Sequence, residues 1–214
     1  DGYNETILNL QNSRIFSFGS GLNINEAYKA ASVEIDQTRV SFIGSSYRPL
    51  ASINKAGVAD AYNPILLEKI KEAKNNADVV IVMPHTGIEF LDYPIPRDQS
   101  LFRSIIDAGA DLVVGGHPHC VQVKENYNNS WIYYSIGDLI FDHADDKVWS
   151  NFRNKDSNAY IYSPETKRDK PLYSITLKLT FKNKKIANIE DILVKIPKNI
   201  KVPFALPVLD RSKD

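Results

Sequence analysis

Two continuous apolar runs, Asp78-Val-Val-Ile-Val-Met83 and Asp111-Leu-Val-Val-Gly115, constrain this chain more than any other feature. A short apolar run without alternation is how a strand buried on both faces reads. Between the runs lies a polar loop from His85 to Asp98, followed by Leu101, Phe102, Ile105 and Ile106 at helical spacing. Gly109 stands where that helix should stop. Strand, loop, helix and strand within residues 78–115 make a βαβ unit, so the two strands should be parallel neighbours. A second helix is expected just ahead of it. Asn63 serves as cap and Pro64 as the first helical residue; Leu66, Ile70, Ala73 and Ala77 line one face, and Glu68, Lys69, Lys71 and Glu72 the other. The fold class is α/β.

Elsewhere the signals are shorter. Glu5 to Leu10 reads as a brief helix, and Arg14 to Gly19 as a short apolar run. Gly19-Ser20-Gly21 reads as a turn, and Asn25 as the N-cap of a helix from Glu26 to Ala31. Arg39 to Gly44 has the β-branched and aromatic content of a strand. Trp131 to Ile136 makes another, with Trp131, Tyr133 and Tyr134 as packing residues rather than a ligand platform. Tyr173 to Phe181 and Ile189 to Ile196 alternate as antiparallel strands around the turn at Asn183. The polar stretch 143–170 reads as a long surface loop.

Composition closes off several function classes. Lys+Arg and Asp+Glu number 26 each, so a general nucleic-acid binder and a polybasic membrane-surface protein are disfavoured. The lone Cys120 excludes an intrachain disulfide and reads as a small residue opening the next buried segment. No apolar run approaches the roughly 18 residues of a spanning helix, and no signal peptide is visible. At 214 residues and 43% apolar content the chain can bury a sizeable core as a single domain, 1–214.

The chemistry points to one edge. Of four histidines, His85 follows the first buried strand, and His117 and His119 follow the second. Ligands bind at the C-terminal ends of parallel strands, where departing side chains converge. Neighbouring strands lie about 5 Å apart, so these imidazoles can reach a common metal or a close metal pair. Gly115 and Gly116 permit a tight turn before His117, and Pro118 stiffens the spacer to His119. One histidine at a strand end is ordinarily a hydrogen-bonded structural residue; three at adjacent strand mouths read as metal ligands. His143, after Asp142 in the polar stretch, is the weaker candidate.

Gly116-His117-Pro118-His119 resembles the Gly-His-x-His motif of calcineurin-like metallophosphoesterases. The segments Pro84 to Phe90, Asp107 to His119 and Tyr134 to Asp142 are similar to the CapA/PgsA-type bacterial proteins of poly-γ-glutamate capsule synthesis. A weaker similarity covers 1–50, on Asp1 to Leu10 and Phe18 to Ala27. Two positions depart from the family pattern: Thr86 stands where a tryptophan is usual, and Asp138 where an asparagine is usual.

The resemblance implies the C-terminal part of a four-layer α/β/β/α metallophosphoesterase-like sandwich. His85 and His117 would hold one metal and His119 a second, with up to two Mn, Zn or Fe ions in a complete domain. The early ligands of the family, including the bridging aspartate, would precede Asp1, so the missing N-terminal segment is the first expected partner. Without it, the three imidazoles could still hold one ion but should not make an efficient phosphoesterase. Glu89 matches the family's His-x-Gly-x-Glu glutamate and is expected as a catalytic pocket residue that contacts substrate or a metal-bound water. Asp138 is expected to act as a catalytic carboxylate beside it, and Arg97, the cation of that loop, as an anion contact. Two roles follow. One is a capsule-polymer synthesis component, extracytoplasmic and anchored in a membrane complex through the absent N-terminus. The other is a metal-dependent hydrolase of phosphoesters or another anionic substrate.

Overall fold

The computed structural model describes residues 2–139 and 172–196, nearly all of which form one compact unit, Asp1–Phe141 with Tyr173–Val194. In chain order its elements are α1 (Gly2–Asn12), β1 (Ser20–Gly21), α2 (Ile24–Ala27), β2 (Ala31–Ile35), β3 (Thr38–Ser46), β4 (Gly57–Val58) and α3 (Ile65–Asn76). There follow β5 (Val79–His85), α4 (Pro96–Asp107), β6 (Leu112–Val114), β7 (Lys124–Tyr127), β8 (Ser130–Tyr133), β9 (Leu172–Lys182) and β10 (Lys185–Ile196).

A six-stranded sheet in the order β2-β3-β5-β6-β8-β7 forms the centre. Its four inner strands are parallel, and β2 and β7 close the edges antiparallel. The expected parallel pair is present as β5 and β6, with Ile81 opposite Leu112 and Val82 opposite Val113.

Side-chain alternation explains the layers. Successive residues of a strand face opposite sides. Val80, Val82, Val113 and Ile132 face one way, into a core with Leu66, Ile70 and Ala73 of α3 and Phe102, Ile105 and Ile106 of α4. Val79, Ile81, Leu112, Val114 and Tyr133 face the other way, against Leu177, Leu179 and Phe181 of β9 and Ile186 and Ile189 of β10. The fully buried valine, leucine, isoleucine and phenylalanine side chains among them, such as Val80, Leu66, Ile70 and Phe102, contribute about 1.5–3 kcal/mol each. Helices, central sheet and two-stranded hairpin are thus stacked layers of an α/β fold.

The aromatic residues after β6 are packing residues, as expected. Tyr133 and Tyr134 are buried, and their hydroxyls donate to Asp191 at 2.6 Å and Glu125 at 2.6 Å. Burial raises both phenols, and their carboxylate partners raise them further.

Several local expectations shift. Ser20 and Gly21 pair with Val58 and Gly57 rather than forming a free turn. The cap of α2 is Asn23, whose Oδ1 accepts from the Glu26 amide at 3.1 Å, and not Asn25. The helix stops at Ala27 because Ala31 already opens β2. At α3 the start shifts by one residue: Pro64 is the cap and Ile65 the first helical residue, while Asn63 Oδ1, one position earlier, accepts from the Ile65 amide at 3.0 Å. Gly109 has φ +114 and closes α4 as expected. The 143–170 stretch lies outside the described residues.

Candidate metal centre

His85 is the last residue of β5, and the chain after β6 runs straight into Gly115-Gly116-His117. The parallel pairing recurs two residues past the end of β6, with His85 opposite Gly116. Gly115 is required by a close approach: a Cβ there would sit 2.1 Å from the Tyr134 carbonyl oxygen. His117 and His119 then adopt φ of 96° and 54°, a region non-glycine residues rarely enter. Such backbone costs on the order of 1–3 kcal/mol per residue and persists only where its surroundings enforce it.

The loop after β5 does the enforcing. The Gly116 amide donates to Pro84 O at 3.1 Å, and the Thr86 amide to Gly116 O at 3.2 Å. The Phe90 amide donates to Pro118 O at 2.7 Å. Gly87, at φ +128, lies so close to Pro118 that an added Cβ would be 2.9 Å from its Cγ. The loop is thereby laid over the turn, and Glu89 is delivered to the histidines.

Ligand atoms of Glu89, His117 and His119 all fall within 4.8 Å of one another. That is close to the roughly 4 Å that two metal–ligand bonds of about 2 Å can bridge. His85 stands beside this group, its ring centroid 5.0 Å from that of His117. His119 lies 5.9 Å from His117, ring to ring, and stacks on Phe90 at 5.6 Å. Imidazole and carboxylate donors in one cluster suit a Zn-, Mn- or Fe-type divalent ion.

Both Asp138 oxygens approach His119 Nδ1, at 3.0 and 2.9 Å. The carboxylate expected near the site is therefore bonded to a histidine ring nitrogen. The His85 imidazole is held below its ordinary range by partial burial, then by the nearby His117 and His119. Burial lowers His117 as well, against the pull of Glu89. Both are held toward the neutral form a metal needs.

Arg97 belongs to the first turn of α4, not to the loop. Its guanidinium lies 4.5 Å over the Tyr62 ring, and its Nε is 3.5 Å from Asp98 Oδ1. Asp98 is itself buried and accepts from the Tyr62 hydroxyl at 2.8 Å. Cys120 is partly exposed rather than buried, and its thiol donates to Leu91 O at 3.3 Å. Asp142 and His143 lie outside the described residues.

One site neighbour was not expected. Tyr47 follows β3, its hydroxyl 3.3 Å from His117 Nε2 and its ring edge-on at 4.9 Å. The signal is the register of β3 on β5, which sets Ser46 opposite His85 and so Tyr47 one step beyond.

The family model for the bacterial capsule synthesis protein PGA_cap matches residues 1–143. The PGA biosynthesis protein CapA of Bacillus subtilis is 32% identical over 72% of this chain and 40% of its own length. The capsule biosynthesis protein CapA of Bacillus anthracis is 31% identical over 75% of this chain and 40% of its own length. The chain thus spans about two fifths of these curated relatives. Among solved structures, a phosphatase from Mycoplasma pneumoniae is similar at a TM-score of 0.45 and 11% identity, over 78% of this chain and 57% of that one, a likeness too remote to carry functional weight. Because the family match takes in His85, Glu89, His117, His119 and Asp138 together, the chain belongs to the bacterial capsule synthesis PGA_cap family.

Proposed function

We propose that this chain is part of a CapA-type protein of poly-γ-glutamate capsule biosynthesis that holds a divalent ion through Glu89, His117 and His119, with His85 alongside. The observation that carries the reading is the convergence of those three ligand groups at the C-terminal edge of the parallel strands. An ion there would act as a Lewis acid toward an anionic oxygen and lower the pKa of bound water. The chain's own residues do the rest. Glu89 and His85 are open to solvent, which leaves the cluster accessible to an anionic polymer or phosphoester. Tyr47 places a hydroxyl beside His117, where it can donate to such an anion. Arg97, on Tyr62 and Asp98, is the nearby cation we assign to longer-range attraction of the same ligand.

The setting we infer is extracytoplasmic, in a capsule-synthesis membrane complex, with the N-terminal part of the protein supplying the anchor and the remaining ligands. Among the described residues no helix is long and apolar enough to cross a membrane. The balanced charge speaks against nucleic acid as a partner. A metal-dependent phosphoesterase is the second reading, favoured by the imidazole trio itself. Complementing a capsule-deficient strain with the full-length gene carrying His117→Ala tests the first. Loss of polymer with normal protein levels is expected; full polymer yield would overturn it. Mn²⁺-dependent turnover of a generic phosphodiester by the full-length protein would favour the second.

A further inference from the structure

We infer that Asp138 is the positioning residue of the metal centre: it fixes the ring and tautomer of His119 so that Nε2 is the ligand atom. This rests on the reading of His119 as an ion ligand. A carboxylate only accepts hydrogen bonds, so its approach at 2.9 and 3.0 Å requires that His119 Nδ1 carry the proton. The lone pair then belongs to Nε2, on the far side of the ring. A metal-binding histidine needs that division, and an outer carboxylate that enforces it holds the ring before the ion arrives.

The surroundings are built for the contact. Asp138 follows Gly137, whose φ of +72 and lack of a Cβ let the chain pass the Tyr173 carbonyl oxygen; a Cβ would be 2.6 Å from it. Val121 pairs with Ile136, so that the residues after the histidine turn and those after β8 run side by side. The face of the His119 ring is covered by Phe90, stacked at 5.6 Å. One ring, clamped by an aromatic face and a carboxylate, has little freedom left. His117 differs: its Nε2 lies 3.3 Å from the neutral hydroxyl of Tyr47 rather than against a bonded carboxylate. An asparagine at position 138 could accept one such bond through its amide oxygen but would carry no charge, so the aspartate gives the stronger hold.

The test uses the chain as it is, with Zn²⁺ as probe and Asp138→Asn and Asp138→Ala as variants. In the ion-free protein, long-range ¹H–¹⁵N spectra should show His119 wholly as the Nδ1–H tautomer. The alanine variant should show a mixture of the two forms and bind Zn²⁺ about 10–100-fold more weakly. The asparagine variant should fall between, with a native amide spectrum. A His119 Nε2–H tautomer in the unchanged chain would overturn the inference whether or not Zn²⁺ binds. So would Zn²⁺ affinity within twofold of the original in Asp138→Ala, while His119→Ala abolishes binding. Failure of the unchanged chain to bind Zn²⁺ would instead count against the metal centre and leave the tautomer result to decide the role of Asp138.

Discussion

At the N-terminal ends of β5 and β6, Lys74, Asp78 and Asp111 are tied to one another and to the neighbouring backbone. Lys74 Nζ lies 2.7 and 2.8 Å from the two Asp111 oxygens and donates to the Asp78 carbonyl at 3.1 Å. Asp111 also accepts from the Val80 amide at 2.8 Å, and Asp78 from the Arg39 amide at 2.9 Å. At the C-terminal ends of the same strands the chemistry is reversed. Three imidazoles are gathered within 6 Å ring to ring along the series, two of them are pushed toward the neutral form, and the turn carrying His117 and His119 is strained. One end spends its polar groups on closing the fold. The other keeps lone pairs converging on a point, which stabilises nothing until a ligand arrives.

This contrast can be broken in graded ways. Phe102 is fully buried, stacks on Tyr134 at 5.3 Å and lies beneath Gly115. Phe102→Ala should cost about 3–5 kcal/mol in denaturant unfolding and weaken ion binding too, because it undermines the strand from which the histidine turn springs. Next, Zn²⁺ at 100 times its Kd should raise unfolding stability by about 2.7 kcal/mol. That increment should vanish in His117→Ala and survive intact in Asp111→Ala. Asp111→Ala itself should lose about 2 kcal/mol through the stranded Lys74 and Val80 amide, by the same measurement. If it also erased the Zn²⁺ increment, the two ends would not be separable.

The smallest effect is in pH. With folded-state values of His85 and His117 below about 6.5, the unfolded chain takes up protons first as pH falls. Ion-free stability should therefore be complete above that pH and decline through it toward 5. The decline should be shallower in His117→Ala. Asp78, held low first by its bond from the Arg39 amide, loses its contribution only in more acid solution. Zn²⁺ affinity should fall in the histidine window, below about pH 6.

The parallel unit was legible because its strands are uniformly apolar and its helices keep a 3.6-residue period, signals that burial on two faces imposes directly. The edge hairpins were not. β7 reads Lys-Glu-Asn-Tyr, without alternation, and is held by its pairing to β8 and by the Lys124–Asp191 and Arg103–Glu125 ion pairs. Its turn, Asn128-Asn129 with φ of 50° and 62°, was the available clue, as was Asp36-Gln37 at 48° and 61° between β2 and β3. In the site, the three histidines could be placed from strand ends alone. The bond from His119 to Asp138 could not, since it joins residues 19 positions apart through the register of segments that carry little pattern.

The central claim is that this chain carries its own ion site from Glu89, His117 and His119. Calorimetric titration of Zn²⁺ into the chelator-treated chain tests it most directly, beside Glu89→Gln, His85→Ala, His117→Ala and His119→Ala. The account predicts one ion per chain, binding abolished in the His117 and His119 variants, clearly weakened in Glu89→Gln and least affected in His85→Ala. Unchanged affinity in Glu89→Gln with complete loss in His85→Ala would contradict it, and would return the site to the three imidazoles alone.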